Sequence, residues 1–195
     1  MPTIQHQQTI ALEILHKLEV VDPYCILAGG APRDWYLGNP CNDLDFYFVS
    51  TASTVNAVKK QLERCFGEVV VKFDFSVSHH EDPIYKTMPF IRRIIDLDYK
   101  GMKVQLIQLN SLGDQFKVVK AMSASICKIA WKGGDYILDR DFKTTIASGI
   151  MFLSEGYNWS DPHPAKMKER FKGKFMCGTE KSAFDKIINE KLKEI

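Results

Sequence analysis

Residues 27–49 read LAGGAPRDWYLGNPCNDLDFYFV, and this stretch carries the clearest structural signal in the chain. It predicts a buried strand, a glycine turn at Gly29 and Gly30, a short helix, a loop, and a second strand that opens at Asp43. Along that second strand Asp43 and Asp45 alternate with apolar residues. Both carboxylates are therefore expected to project from one face of the strand.

The two carboxylates predict a metal site. Held a few ångströms apart they repel each other, and a divalent cation offsets that cost most easily. Ligands that are all oxygen suit Mg²⁺ or Mn²⁺. Gly29 and Gly30 let the backbone approach a bulky anion, and the helix that follows can direct free N–H groups at it. A phosphate site beside a metal-binding carboxylate pair supplies the groups that an enzyme needs to transfer a nucleotidyl group.

The order Gly29-Gly30-x-x-Arg33-Asp34 and then Asp43-x-Asp45 resembles the head domain of the polymerase β-type nucleotidyltransferase superfamily. Its pattern is most similar to that of CCA-adding enzymes and bacterial poly(A) polymerases. The resemblance implies metal-dependent transfer of an NMP from a nucleoside triphosphate (NTP) to an acceptor hydroxyl, with the two carboxylates as catalytic metal ligands. The residues that it implies at the nucleotide are Gly29, Gly30, Arg33 and Asp34.

The same resemblance implies a third carboxylate on the predicted strand 102–109, and Gln105 stands at that position. A neutral amide forms hydrogen bonds but cannot be a general base. We nevertheless include Gln105 among the catalytic residues and predict that its side chain lies in the cleft of the paired carboxylates. The alternative is a glutamine that faces solvent. Asp96 and Asp98 are candidate substitutes for the missing acid, or else turn residues in water.

At three further places the sequence leaves open what the polar residues do. Arg33 either binds phosphate or pairs with Asp34 in a surface salt bridge. His79 and His80 are either catalytic or metal-binding residues, or exposed residues of a polar loop at 78–83. Arg92 and Arg93 alternate along a predicted strand, so at most one of them faces the cleft.

Apolar periodicity predicts a mixture of helices and strands in the rest of the chain. The resemblance makes this an α+β fold, with a nucleotidyltransferase-like mixed β-sheet, helices packed on one side and a small C-terminal helical extension. The loop at 155–164 predicts a boundary between a core domain, 1–154, and a basic helical extension, 155–195. Predicted strands span 24–28, 43–49, 68–77, 90–97, 102–109, 126–131 and 135–138. Predicted helices span 3–20, 53–65, 111–122, 141–148, 166–172 and 180–193, besides the short one that begins near Pro32.

Composition is that of an ordinary soluble globular protein, since 45% of the 195 residues are hydrophobic and 26% are charged. No apolar run reaches membrane-spanning length, and the N-terminus lacks the pattern of a secretory signal, so no membrane partner is expected. The five cysteines are scattered without a Cys-x-x-Cys pair. This pattern favours a reducing cytoplasm and argues against a zinc site or a disulfide framework.

The acceptor stays open among RNA, protein and a small molecule. A net charge of +2 does not by itself imply nucleic-acid binding, but the segment Lys166–Lys174, KMKERFKGK, carries five basic residues and one acid. This segment is either a contact for nucleic-acid phosphates or a solvated helix face. The chain lacks a convincing Glu-Asp-x-x-Arg segment to bind the incoming base, so full CCA addition is not expected.

A compact transferase, faintly similar to short phage nucleotidyltransferase-like proteins, fits the chain better. In that comparison Ser123 or Ser125 stands where an aspartate is expected. A second class of function is a weakly active or inactive nucleotidyltransferase-fold protein that binds nucleotide or RNA, and the neutral Gln105 is the feature that suggests it.

Overall fold

The structure is a computed structural model that describes residues 2–52, 54–67, 71–76 and 89–193. His79, His80 and the predicted polar loop around them lie outside the described residues. The described α-helices are α1 (Ile4–Glu19), α2 (Gly30–Tyr36), α3 (Val55–Phe66), α4 (Asp114–Ala121), α5 (Arg140–Ser148), α6 (Pro162–Arg170) and α7 (Glu180–Leu192). The described strands are β1 (Ile26–Ala28), β2 (Asp43–Val49), β3 (Val71–Ser76), β4 (Ile91–Tyr99), β5 (Met102–Leu109), β6 (Ile129–Lys132), β7 (Asp135–Leu138), β8 (Ile150–Met151) and β9 (Met176–Cys177).

Seven of the described strands form one mixed sheet in the order β3-β4-β5-β2-β1-β6-β7. Strand β2 lies at the centre, parallel to β5 on one side and antiparallel to β1 on the other. Strands β3, β4 and β5 are antiparallel neighbours, while β8 and β9 form a separate parallel pair. This mixed sheet with helices confirms the predicted α+β fold class.

The alternation of residues on β2 decides which of its side chains join the apolar core beneath the helices. Leu44, Phe46 and Phe48 are each 0% exposed and join one apolar core with residues of α1, α2 and α3. Because side chains alternate between faces along a strand, Asp43 and Asp45 point to the opposite face. Asp43 is exposed and Asp45 is partly buried. The core thus commits both acids to one side of the central strand.

The hairpin between β4 and β5 differs from its prediction. The strands predicted at 90–97 and 102–109 leave residues 98–101 for the turn between them, but β4 continues to Tyr99, which pairs with Met102. Only Lys100 and Gly101 turn the chain, with φ of 50° and 81°. Two successive residues with positive φ give the tight hairpin turn whose twist matches that of the flanking strands. The predicted turn was too wide, so Asp96 and Asp98 are strand residues and not turn residues.

Other predicted elements have shifted ends. The helix predicted at 111–122 begins at Asp114, where the Asp114 carboxylate accepts hydrogen bonds from the backbone N–H and the hydroxyl of Ser111 at 3.0 Å and 2.9 Å. The strand predicted at 126–131 opens instead as a 3-10 turn, Ser125–Cys127, and β6 follows it.

A buried amide joins α1 to the loop that leads into β2. Gln7, which is 0% exposed, donates from Nε2 to the Cys41 carbonyl at 2.9 Å. Its Oε1 accepts from the Cys41 backbone N–H at 2.9 Å and from the Trp35 indole Nε1 at 2.8 Å. One side chain therefore satisfies polar groups on the loop and on α2. Since Cys41 is two residues before Asp43, this amide sets where β2 begins.

The chain forms two compact units, residues 1–118 with 130–137, and residues 119–129 with 138–195. The first holds α1, α2, α3 and most of the seven-stranded sheet, and the second holds α5, α6, α7 and the β8–β9 pair. The boundary predicted between residues 154 and 155 falls inside the second unit. The division into a core domain and a C-terminal extension at this boundary stays a prediction. No helix among the described residues is long and apolar enough to cross a membrane.

Gln7→Ala is expected to lower the free energy of unfolding by about 3 kcal/mol, because three buried polar groups lose their partner. Urea unfolding followed by tryptophan fluorescence measures this change. Gln8→Ala is the matched control, since the Gln8 amide makes only a 3.4 Å, partly buried bond to the Tyr136 hydroxyl. Its cost should be about 0.5 kcal/mol or less. Equal losses in the two variants would show that the Gln7 amide does not hold the loop.

Candidate active site

The glycine turn before α2 has a backbone that only glycine adopts readily. Gly29 has φ 86° and ψ −122°, and α2 begins at the next residue. A Cβ atom placed on Gly30 would lie 4.0 Å from Asp43 Oδ1 and 3.8 Å from Arg33 Nη2. The turn therefore adjoins one of the two predicted metal-binding carboxylates, as well as the predicted nucleotide-binding arginine. Gly30, Arg33 and Asp43, which span 13 positions of the sequence, therefore lie close together in space.

Polar residues form two short rows across β2, β5 and β4, on the face opposite the apolar core. Residues paired between neighbouring strands point to the same face of the sheet. The pairing gives one row of Asp43, Lys103 and Asp98, and a second row of Asp45, Gln105 and Asp96. The rows combine four carboxylates with one ammonium group and one neutral amide. The structure thus brings Asp96 and Asp98 onto the same face as the two predicted metal ligands.

Gln105 occupies the middle of the second row. It pairs in register with Asp45 on one side and with Asp96 on the other. Its side chain is partly buried, and its Nε2 donates to Asp96 Oδ1 at 2.8 Å. Of the two interpretations offered by the sequence, the geometry therefore places Gln105 beside the acids.

Arg33 and Asp34 form a buried ion pair. Arg33 Nε and Nη2 both lie 2.9 Å from Asp34 Oδ1, and the two side chains are only 4% and 5% exposed. The predicted pairing of Arg33 with Asp34 is present, but its predicted position on the surface was wrong. Because Ala31 and Trp35 anchor α2 in the core, the two charged residues between them are drawn inward with it.

The acids also act on a neighbouring thiol. Burial, together with the negative charges of Asp43, Asp34 and Asp45, raises the pKa of the Cys41 thiol to about 12. Cys41 is 2% exposed, so it is inert as a nucleophile and packs as a small apolar residue. The same charges favour a cation at the exposed side of the acids.

The oxygen donors on β2 suit a hard divalent cation. Mg²⁺ is commonly held by one or two carboxylates and keeps its other positions for water and substrate phosphates. Asp43 and Asp45 supply two carboxylates from one strand face, and the adjoining glycine turn leaves room for a phosphate. Two carboxylates on one strand face, beside the glycine turn, are a donor set that fits a cation shared with a phosphorylated substrate. Within the described part of the chain, no group of three or more His, Cys, Asp or Glu side chains could hold a metal ion.

The other residues that the sequence analysis singled out lie outside the two polar rows. Ser123 contacts His163 Nδ1 at 2.7 Å, and the Ser125 and Thr145 hydroxyls are 2.6 Å apart, all within the second unit. Arg93 is buried and Arg92 partly so. The basic residues of 166–174 are all exposed.

Sequence reasoning missed Gln7, although a signal for it exists. Its position falls on the same helical stripe as Ala11, Ile14 and Leu18, which are buried. A polar residue on an apolar stripe indicates a buried hydrogen bond. The partner could not be read from the sequence, because Cys41 is 34 residues away.

The fold is similar to that of solved nucleotidyltransferases. A CCA-adding enzyme in complex with ATP has a TM-score of 0.58 and 14% identity, covering 100% of this chain and 43% of that one. A tRNA nucleotidyltransferase complexed with a primer tRNA and an incoming ATP analog has a TM-score of 0.54 and 18% identity, covering 94% and 52%. The Thermotoga maritima CCA-adding enzyme complexed with tRNA has a TM-score of 0.57 and 14% identity, covering 95% and 43%.

These likenesses show that the fold of this chain is that of the solved CCA-adding enzymes and tRNA nucleotidyltransferase. The chain spans about half the length of those proteins, or less. By sequence, no protein-family model matches it, and neither does any curated protein. The similarity to short phage proteins stays a prediction, as does a location in the cytoplasm.

Arg33→Met should lower the free energy of unfolding by about 3 kcal/mol, because it leaves the Asp34 charge buried without its partner. Adding Asp34→Asn should restore part of this loss, since the uncompensated charge is then gone. Lys59→Met is the control, as Lys59 and Glu63 form an exposed pair 4.0 Å apart, and it should cost about 0.5 kcal/mol or less. If Arg33→Met cost no more than the control, the buried pair would have no structural role. Chemical denaturation of the four proteins decides this.

Proposed function

We propose that this chain is a metal-dependent nucleotidyltransferase that moves an NMP from an NTP to an acceptor hydroxyl. The observation that supports this best is the junction of the glycine turn with the acids of β2, where a Gly30 Cβ would lie 4.0 Å from Asp43 Oδ1. Such a junction lets one ligand contact backbone N–H groups and a carboxylate-bound cation at once. A nucleoside triphosphate with its divalent cation has both features.

Each residue has a proposed task. Asp43 and Asp45 hold Mg²⁺ or Mn²⁺ through carboxylate oxygens, and a cation bound there would polarise the α-phosphorus of the nucleotide. Gly29 and Gly30 donate backbone N–H groups to the β- and γ-phosphates. Arg33 and Asp34 belong to the nucleotide site by position, because their buried pair supports the turn from the α2 side.

RNA is the acceptor that we propose. The described relatives include enzymes complexed with tRNA, and this chain exposes five basic side chains between residues 166 and 174. One of them, Lys172, contacts Glu169 at 3.9 Å. A surface of this charge would contact phosphates without reading the base sequence. A protein or a small molecule as acceptor is an outcome that the assay below distinguishes.

A second candidate is a nucleotidyltransferase-fold protein that binds nucleotide or RNA without transfer. The position of Gln105 beside Asp45 favours it, because an amide cannot take a proton from an acceptor hydroxyl. The two candidates differ in one assay. Wild-type protein is incubated with each labelled NTP, with Mg²⁺ or Mn²⁺, and with mixed RNA, and both binding and label transfer are measured. Binding with no transfer to RNA or to protein would support the second candidate.

Asp45→Asn should lower the rate of transfer at least ~100-fold, because charge stabilisation by a bound metal contributes several kcal/mol to the transition state. Mn²⁺ affinity should fall with it, and Mn²⁺ titration by electron paramagnetic resonance gives that value independently of turnover. Asp135→Asn is a control for charge alone, as Asp135 is an exposed residue of β7. Near-normal transfer by Asp45→Asn would place the metal site elsewhere.

Gly30→Ala should keep the unfolding midpoint of the wild type, because its Cβ would make only ordinary contacts at 3.8 Å and 4.0 Å. Gly30→Val extends into the space between the turn and Asp43 and should raise the KM for NTP about tenfold. Mn²⁺ affinity without nucleotide should change little in either variant. Unchanged nucleotide affinity in the valine variant would contradict phosphate binding at the turn.

A further inference from the structure

The hydrogen bond between Gln105 and Asp96 fixes which way an amide faces. Gln105 Nε2 lies 2.8 Å from Asp96 Oδ1, and the two residues are paired in register on adjacent strands. A carboxylate offers only acceptor oxygens, so the amide can meet it only with its N–H₂ end. The amide group is planar, with its nitrogen and oxygen on opposite sides of the terminal carbon. When Nε2 is directed at β4, Oε1 is turned away from β4.

An amide oxygen turned away from β4 is turned toward the strand that carries Asp45. Strand β5 lies between β4 and β2, and Gln105 is paired with Asp45 on β2. An amide oxygen is a neutral but effective ligand for hard cations. The Asp45 row therefore presents one carboxylate and one oriented amide oxygen next to each other.

We infer that Asp96 is a positioning residue that holds the Gln105 amide with its oxygen toward Asp45, so that Gln105 serves as a neutral oxygen ligand of the divalent cation. This inference rests on the proposed function, in that it takes Asp43 and Asp45 as the cation's carboxylate ligands. It gives Gln105 a task that needs no proton transfer.

Asp96 acts through Gln105 and not on the cation itself. Two strand spacings separate Asp96 from Asp45, which is about 10 Å between backbones. A residue that orients a ligand from this distance resembles the outer partners of metal-bound side chains, whose loss commonly weakens metal affinity tenfold or more.

A double-mutant cycle on Mn²⁺ affinity tests the inference without using turnover. Asp96→Asn is close to the same shape, but its amide can donate to Gln105 Oε1 and let the Gln105 amide turn over. The dissociation constant for Mn²⁺ is measured for wild type, Asp96→Asn, Gln105→Ala and the double variant. Asp98→Asn is the matched control, because it removes an equal charge two residues away on the same strand, in the row of Lys103. Unfolding midpoints are recorded for all five proteins.

The expected result is about tenfold weaker Mn²⁺ binding in Asp96→Asn and less than a twofold further change when the same substitution is made in Gln105→Ala. Asp98→Asn should weaken binding about twofold at most. The inference is overturned if Asp96→Asn binds like wild type, if it weakens binding equally in both Gln105 backgrounds, or if Asp98→Asn has the same effect. Failure of the proposed function looks different. In that case wild type itself binds no Mn²⁺, or Asp45→Asn binds as well as wild type.

Discussion

The burial of one face of β2 is the constraint on which the rest of the structure depends. Leu44, Phe46 and Phe48 are completely buried among residues of α1, α2 and α3. A slip of one residue in the register of β2 would put these side chains on the other face and drive carboxylates into the core, at a cost of many kcal/mol. The hydrophobic effect therefore holds Asp43 and Asp45 on the face of β2 opposite to these three side chains.

Neighbouring elements turn this constraint into a site. The parallel pairing of β2 with β5 puts Gln105 beside Asp45, and the antiparallel pairing of β5 with β4 adds Asp96. At the start of β2, the Gln7 amide binds the backbone of Cys41 and so fixes the loop that leads into Asp43. The candidate site thus consists of polar groups that are held in place by backbone pairing and by one buried amide.

Much of the fold, and the part of the candidate site that lies within one short stretch of sequence, could be predicted from the sequence. The glycine turn, the short helix and the acids of β2 lie within 17 consecutive residues, from Gly29 to Asp45. Short-range periodicity and turn chemistry are enough to predict such a stretch. The hairpin was predicted too wide because Lys100 is not a residue that usually signals a positive φ, although it has one.

Contacts between distant segments were beyond what periodicity can predict. The bond of Gln7 to Cys41 spans 34 residues, and the burial of Arg33 depends on how α2 packs on the core. The bond of Gln105 to Asp96 requires the exact register of a hairpin whose turn was misplaced. In each case the sequence shows the polar residue, but tertiary packing determines its hydrogen-bond partner or its burial.

The most direct test of the account is an anomalous diffraction map from crystals of the protein grown with Mn²⁺ and a non-hydrolysable NTP analogue. The account predicts a peak on the open face of β2, within about 2.5 Å of carboxylate oxygens of both Asp43 and Asp45, with the triphosphate against Gly29 and Gly30. Mn²⁺ and nucleotide bound together at another place, with β2 empty, would contradict it.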